Sequence, residues 1–306
     1  GSLITSDPGF GVQRAGWGGA LQPVVLTTCV NGCDDKNPCT QDNCVNGSCS
    51  NTPLPDGTAC TDDRDNCTHD ICRAGQCVHD RFDPNFVIAF DPVEVLPSAS
   101  STVRVTTIPA CPNLQVRFRV EAQDGTGGHS HTNAGRPVGR LNRANCTTGQ
   151  DGRCQVTYTG PIESGEDNIF GTIGREERQS YMIVRIPGLF SIGAGANYTL
   201  IGSTNRHPDN HYCDGATGAN FPVIADEYHD TFPNDPILEL NDISLVWGGL
   251  FDYQGTWAPP HQTHREGLDA DMRLVPVRNR AEFNRICMRN GARPEIHNGN
   301  HHHLNF

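Results

Sequence analysis

The chain is short of charge, of long apolar runs and of an excess of basic residues, and each shortage excludes a class of function. Only 19% of its 306 residues are charged and 36% are hydrophobic. No apolar run approaches the roughly 20 residues of a membrane helix, so we expect no membrane span. The 23 Lys and Arg against 35 Asp and Glu give a net charge of −12, which argues against a nucleic-acid partner. The HExxH helix motif of many zinc peptidases is also missing, so any metal site must be built from strands and loops.

Glycine, proline and cysteine are abundant instead. The 33 Gly and 21 Pro indicate a turn-rich, mainly β, multidomain protein. The 14 Cys are even in number, and many have CxxxxC rather than CxxC spacing, which favours disulfides over metal knuckles. We therefore expect an oxidising location, secreted, extracellular or periplasmic. No signal peptide is visible, and the start, GSLITSDPGF, is interpreted as a mature N-terminus or a cloning remnant.

Residues 29–83 form a cysteine-rich module with two repeats, preceded by an extended arm at residues 1–28. The repeats are CDDKNPCTQDNCVNGSC and CTDDRDNCTHDICRAGQC. Each has four cysteines and almost no large apolar residues, so disulfides must stabilise it. Three pairings are open within each repeat, and Cys29 is expected to pair outside them. The Asp-rich loops could bind Ca²⁺ through oxygen ligands, although acidic solvated turns are the favoured interpretation.

Residues 84–188 are predicted to form an immunoglobulin-like β-sandwich. Segments such as TVRVTTIP, LQVRFRVEA and CQVTYTGP alternate apolar and polar residues and are separated by turn-forming clusters. Cys146 and Cys154 flank a turn and could clip it. Cys111 makes the number of cysteines in this domain odd, so one of the three could reach Cys29.

Residues 189–306 are predicted to form a small α+β domain. ANFPVIADEYHDTF and RAEFNRICMRN have apolar residues at helical spacing, whereas ILELNDISLVW and DADMRLVPV have the pattern of strands. Cys213 and Cys287 are the two cysteines of this domain, and we expect them to pair.

Two clusters of histidine and aspartate lie in this last domain, HQTHREGLDADM and HNGNHHHLNF. If DADMR is a strand, Asp269, Asp271 and Arg273 share one face. Two carboxylates on a buried strand need a metal ion or an ion pair with Arg273 to offset their burial. In an extended HHHLNF, His301 and His303 share a face, which is a suitable metal clamp.

NDISLVWGG followed by HQTHREGLDADM resembles the penicillin-insensitive murein endopeptidases. More widely, it is similar to the lysostaphin, D-Ala-D-Ala carboxypeptidase and hedgehog group of zinc proteins. The family pattern is a His, an Asp seven positions later and a C-terminal H-x-H on a strand. The resemblance covers roughly residues 240–306. It implies that His264, Asp271 and His303 bind Zn²⁺ and leave a fourth position for water.

The resemblance also implies metal-assisted peptide hydrolysis, with a neighbouring imidazole as general base or oxyanion stabiliser. His301 is the first candidate for that catalytic role, followed by His261 and His297. Asp269 is expected to orient a ligand histidine.

Four further histidines lie in polar segments, and one pair of them, His129 and His131, has metal-like spacing. His129 and His131 lie in GGHSH, and His207 and His211 lie in NRHPDNHY. No acidic residue is near the first pair in the sequence, so an ordinary loop is the favoured interpretation for that pair. His207 and His211 could line the site, although a surface loop is an equal alternative.

Two hypotheses follow for the whole chain. The first is a secreted zinc peptidase that acts on peptide bonds, with peptidoglycan crosslinks as a candidate substrate. The second is a non-catalytic extracellular structural or adhesion and assembly protein that keeps a zinc site and binds another cell-surface protein.

Overall fold

The structure is a computed structural model that describes residues 29, 32–131, 134–258, 264–297 and 299–306. The chain divides into a smaller compact unit, residues 1–63 with 69–80, and a larger one, residues 64–68 with 81–306. The predicted N-terminal arm lies outside the described residues. The described residues are mainly β, as expected, and contain no helix long and apolar enough to cross a membrane.

Two β-hairpins form the cysteine-rich repeats. The first pairs β1 (Thr40–Val45) with β2 (Ser48–Pro53), and the second pairs β3 (Thr68–Arg73) with β4 (Gln76–Arg81). Asn46 and Gly47 in the first turn have φ of 52° and 80°, as a tight two-residue hairpin turn requires. The strands of the first hairpin are almost entirely solvent-exposed, so covalent bonds replace a core there.

The disulfides follow one rule in both repeats. The first and fourth cysteines of a repeat pair with each other, and the second pairs with a cysteine that follows the repeat. The bonds are Cys29–Cys44, Cys33–Cys49, Cys39–Cys72, Cys60–Cys77 and Cys67–Cys111. The third cysteine of the second repeat, Cys72, pairs with a cysteine that precedes its repeat, and the third cysteine of the first repeat, Cys44, does the same with Cys29. The expectation that Cys29 pairs outside the repeats was therefore wrong. Its partner is the third cysteine of the first repeat.

Two packed sheets form the predicted sandwich. Its strands are β5 (Asn85–Asp91), β6 (Glu94–Val95), β7 (Ser100–Ile108), β8 (Gln115–Ala122), β9 (Arg140–Leu141), β10 (Asn145–Thr147), β11 (Arg153–Thr159), β12 (Gly165–Ile173) and β13 (Glu176–Val184). One sheet has the order β10-β8-β12-β13-β6 and the other has β5-β7-β11-β9. Val103, Val116 and Met182 are buried between them in a shared core. The Cys146–Cys154 disulfide is present, as predicted.

The last domain is a five-stranded sheet covered by two helices. Its elements are β14 (Phe190–Ser191), β15 (Tyr198–Leu200), β16 (Tyr212–Cys213), α1 (Gly215–Thr231), β17 (Leu238–Asp242), β18 (Asp269–Arg273), α2 (Arg280–Arg289), β19 (Arg293–His297) and β20 (His301–Asn305). The sheet order is β15-β17-β18-β20-β19. Phe221 of α1 and Phe283 of α2 are fully buried in one core with Met272 of β18. Both predicted helices are present, and each begins at a side-chain cap, Asp214 for α1 and Asn279 for α2.

Cys213 and Cys287 do not pair, contrary to the expectation from the sequence. Both thiols are buried in the core of the last domain, where a free cysteine behaves as a small apolar residue. The other twelve cysteines form six disulfides, so the even total of 14 does not require Cys213 and Cys287 to pair.

The folded protein should resist thiol alkylation at neutral pH, although it has two free cysteines. Burial raises the pKa of Cys213 to about 11 and that of Cys287 to about 12, so the reactive thiolate is almost absent. Intact-mass analysis should show no iodoacetamide adduct before unfolding and two adducts after unfolding without reductant. If the unfolded, unreduced chain carried no adduct, Cys213 and Cys287 would instead form a disulfide.

Candidate metal centre

The strand pair β18–β20 brings Asp271 and His303 together. The antiparallel register places them directly opposite each other. Ala270 and Met272 on the other face of β18 are buried in the core, which confirms the predicted alternation. His302 also faces away, with its ring 5.0 Å from that of Phe283. Asp271 and His303 therefore lie on the face of the sheet opposite the helices, where loops cover the sheet.

The loop before β18 supplies the third residue, His264. Its Nδ1–H donates to the Ile243 carbonyl at 2.8 Å, which directs Nε2 towards Asp271 Oδ2 at 3.2 Å. His264 has a φ of 65°, an uncommon conformation for a residue other than glycine. Gly267 is required in this loop, because it has a φ of 75° and a Cβ there would lie 2.9 Å from the Asp214 backbone nitrogen.

Asp269 orients both histidines of the centre. His303 Nε2 lies 3.4 Å from Asp269 Oδ1 and 3.2 Å from Asn305 Oδ1, so the proton of this ring is held on Nε2. The other ring nitrogen, Nδ1, lies 2.7 Å from Asp271 Oδ1 and is the nitrogen that a metal ion beside Asp271 would contact. Asp269 Oδ2 also accepts a hydrogen bond from the His264 backbone N–H at 3.3 Å. This is the position of an orienting carboxylate, as the sequence suggested for Asp269.

The centre concentrates opposite charges in a buried place. Burial favours neutral forms, but hydrogen bonds from His264 and His303 outweigh it and hold the pKa of Asp271 well below its usual range. Burial likewise opposes charging of His303, but Asp269 and Asp271 outweigh it and raise the pKa of that ring to about 10. The carboxylates therefore stabilise a positive charge between these side chains, whether a proton or a metal ion carries it.

The donor set fits zinc. Two imidazole nitrogens and one carboxylate oxygen are typical ligands of Zn²⁺, and the three residues His264, Asp271 and His303 have ligand atoms within 4.8 Å of one another. They are 1%, 4% and 1% exposed. The ion pair that the sequence suggested between Arg273 and the neighbouring carboxylates does not form in the described structure. Arg273 Nε instead lies 3.6 Å from Glu239 Oε2, and the arginine side chain is 61% exposed.

His301 and His297, two of the predicted catalytic residues, lie at the edge of the centre. His301 Nε2 is 3.1 Å from Asp271 Oδ2, and its side chain is 22% exposed. The His297 ring is stacked on the His303 ring, with centroids 4.3 Å apart. The third candidate, His261, lies outside the described residues. His301 is thus the imidazole that contacts both the ligand carboxylate and solvent.

A further buried carboxylate, Asp242, lies beside the centre. It ends β17, directly opposite Asp271, and is 6% exposed. Its charge adds to that of Asp271 in raising the pKa of His264. A carboxylate at the end of ILELND, next to a strand that itself carries DAD, was the available signal.

Calcium binding by the Asp-rich loops of the repeats stays the less favoured of the two interpretations made from the sequence. Asp34 Oδ1 and Asp35 Oδ1 accept hydrogen bonds from the backbone N–H groups of Lys36 and Asn37, at 2.7 and 2.9 Å. Such bonds are typical of Asp in tight turns and need no cation.

No family model and no curated protein matches the chain. Among solved structures, it is similar to the Yersinia pseudotuberculosis adhesin InvE, with 10% identity over 37% of this chain and 36% of that chain and a TM-score of 0.28. The D00–D0 fragment of intimin has 11% identity over 36% of this chain and 56% of that chain, with a TM-score of 0.25. The class 5 fimbriae chaperone CfaA has 10% identity over 37% and 63%, with a TM-score of 0.26. At these TM-scores the similarities support no conclusion about function.

Proposed function

We propose that the last domain is a zinc-dependent hydrolase of peptide bonds, with peptidoglycan crosslinks as the candidate substrate. One observation carries the proposal. Three buried ligands, His264, Asp271 and His303, converge, while a fourth imidazole, His301, lies 3.1 Å from Asp271 on the side that reaches solvent. A site with three protein ligands keeps a position open, which is the arrangement of catalytic rather than structural zinc.

The roles of the side chains follow from their contacts. His264, Asp271 and His303 would hold the ion, and the Ile243 carbonyl and Asp269 keep the two rings oriented. When bound, zinc supplies a Lewis acid that polarises a scissile carbonyl and makes water a stronger nucleophile. His301, partly exposed beside the ligands, can accept a proton from the attacking water or donate a hydrogen bond to the developing oxyanion.

The test combines metal content with turnover. The full chain should cleave purified murein or crosslinked muropeptides, with new amino groups as the readout. Asp271→Ala and His303→Ala should each lose about one zinc equivalent per chain and all cleavage, because a site left with two ligands binds zinc weakly. His229→Ala, in the last turn of α1, is the matched control and should change neither. Zinc bound at this centre without cleavage of murein or of a peptide panel would exclude the enzyme.

A second candidate is a non-catalytic extracellular structural or adhesion and assembly protein that retains the zinc centre. The observation that favours it is the chain of disulfide-linked repeats ahead of the sandwich, a construction suited to spacing and display. Its test is sedimentation with murein sacculi. Zinc-dependent binding without cleavage supports this candidate, and cleavage excludes it.

A further inference from the structure

A second group of potential ligands lies away from the zinc centre described above. His129 and His131 come from the long loop between β8 and β9 of the sandwich, His207 comes from the loop after β15, and Asp252 comes from the loop after β17. The sequence interpretation of His129 and His131 as ordinary loop residues fails on burial. Their side chains are 1% and 7% exposed, and those of His207 and Asp252 are 1% and 0% exposed.

Four of the six distances between ligand atoms of this group match the edges of a tetrahedron, and all six are within 4.8 Å. Asp252 Oδ1 lies 3.1 Å from His129 Nδ1, 3.3 Å from His131 Nε2 and 3.0 Å from His207 Nε2. His129 Nδ1 and His131 Nε2 are 3.2 Å apart. Four ligands at about 2.0–2.1 Å from a tetrahedral zinc ion lie about 3.3 Å from one another. Three nitrogens and one oxygen are also a common zinc donor set.

Hydrogen bonds alone satisfy this arrangement poorly. Three imidazole nitrogens point at one carboxylate oxygen, and two of those nitrogens are also within contact of each other. The outer nitrogens of two rings, His129 Nε2 and His207 Nδ1, are buried and make no hydrogen bond within the described part of the chain. The polar contacts of these two rings are therefore made by their inner nitrogens, His129 Nδ1 and His207 Nε2, which face the centre of the group.

The surroundings close this group from solvent. The Trp257 ring covers both loop histidines, with its centroid 4.5 Å from that of His129 and 4.5 Å from that of His131. The Trp257 backbone N–H donates to Asp252 Oδ2 at 2.7 Å, which leaves Oδ1 to face the imidazoles. Phe251 packs on the third ring, with its centroid 5.2 Å from that of His207. Four buried protein ligands leave no position for substrate.

We propose that His129, His131, His207 and Asp252 bind a structural zinc ion that fastens residues 123–131 of the sandwich to the last domain.

The contacts around the group support that role. The Ser130 backbone N–H donates to the Arg206 carbonyl at 2.8 Å, between two of the ligand positions. Gly128 has a φ of 92°, and a Cβ there would lie 2.9 Å from Val246 Cγ1, so glycine is required for the loop to approach. A metal that binds the folded chain and not the unfolded one stabilises the fold by its binding free energy.

The test is zinc stoichiometry of the full chain, measured by mass spectrometry of the metal after exhaustive dialysis. The wild-type chain should hold about two zinc ions. His131→Ala and Asp252→Asn should each hold about one, with Asp271→Ala holding the other, and a combined variant of both sites about none. His229→Ala is again the control and should hold two. An unchanged zinc content in both His131→Ala and Asp252→Asn would overturn the proposal.

A second measurement separates this site from the proposed catalytic one and from misfolding. In Asp271→Ala the remaining zinc should have X-ray absorption of three nitrogens and one oxygen at about 2.0–2.1 Å, with no bound water. His131→Ala should keep the other zinc and the near-ultraviolet circular dichroism of the folded chain, and amide exchange should accelerate around residues 123–131 and 250–258. A spectrum of Asp271→Ala with a water ligand, or unchanged exchange in His131→Ala, would contradict a closed structural site. Neither result depends on whether the last domain hydrolyses peptides.

Discussion

For the proposed hydrolase, replacing His301 with alanine should lower peptide-bond hydrolysis by about 10²–10⁴-fold and leave the zinc content unchanged. His301 Nε2 lies 3.1 Å from Asp271 Oδ2, yet the ring is 22% exposed, whereas the three proposed ligands are nearly fully buried. The ring can therefore reach a water or a developing oxyanion without being needed to hold the ion. The loss should fall on kcat, because proton transfer and oxyanion stabilisation act in the transition state. Steady-state kinetics on a crosslinked muropeptide, with zinc content measured on the same samples, provide the check.

His297→Ala is the matched control for that variant. The His297 ring is stacked on His303 and its side chain is 39% exposed, so it contacts a ligand without contacting Asp271 in the described structure. We expect a much smaller loss of kcat and unchanged zinc. Loss of zinc in His301→Ala would make His301 a ligand, and an unchanged rate would remove its catalytic role.

The strands of the candidate centre could be predicted because one face of each is apolar. In β18 the buried Ala270 and Met272 alternate with carboxylates, and in β20 the H-x-H pattern places His301 and His303 on one face. Sequence alternation fixes which side chains share a face, and the antiparallel register then brings Asp271 opposite His303. The contribution of His264 came from the family resemblance, since no periodicity determines where a loop residue points.

The second group of ligands could not be found in this way. Asp252 follows the whole sandwich and much of the last domain in the sequence, and it belongs to no motif. The search for an acidic partner near GGHSH was a search along the chain, whereas the partner is provided by folding. The predictions for the disulfides of Cys29 and Cys213 were wrong for the same reason. The sequence allows several partners for each of these cysteines, and only the fold selects among them.

Strand β12 was not predicted from the sequence, because polar residues occupy several of its buried positions. Asp167 is fully buried and forms an ion pair with Arg136, whose NH1 lies 3.1 Å from Asp167 Oδ1. Asp167 Oδ2 accepts hydrogen bonds from the Tyr158 hydroxyl at 2.7 Å and from the Gly139 backbone N–H at 2.6 Å. Because these buried residues are polar, GEDNIFGTI shows no apolar alternation in the sequence. The hydrogen bond from Gly139 also fixes the end of the loop that carries His129 and His131.

Arg136→Ala should therefore destabilise the larger unit by about 3–5 kcal/mol, because it leaves a buried carboxylate without its cation. Tyr158→Phe removes one hydrogen bond of the same carboxylate and should cost less, about 1–3 kcal/mol. Urea unfolding with intact disulfides measures both.

The matched control is Glu176→Gln, which removes a surface ion pair with Arg178 whose side chains are 43% and 39% exposed. Its expected cost is below about 1 kcal/mol, because solvent screens exposed charges. The joint replacement Arg136→Met with Asp167→Leu should be less destabilising than Arg136→Ala alone, since no buried charge is then left unpaired. Equal losses in Arg136→Ala and in the joint variant would mean that packing of the arginine side chain, rather than its charge, stabilises this part of the sandwich.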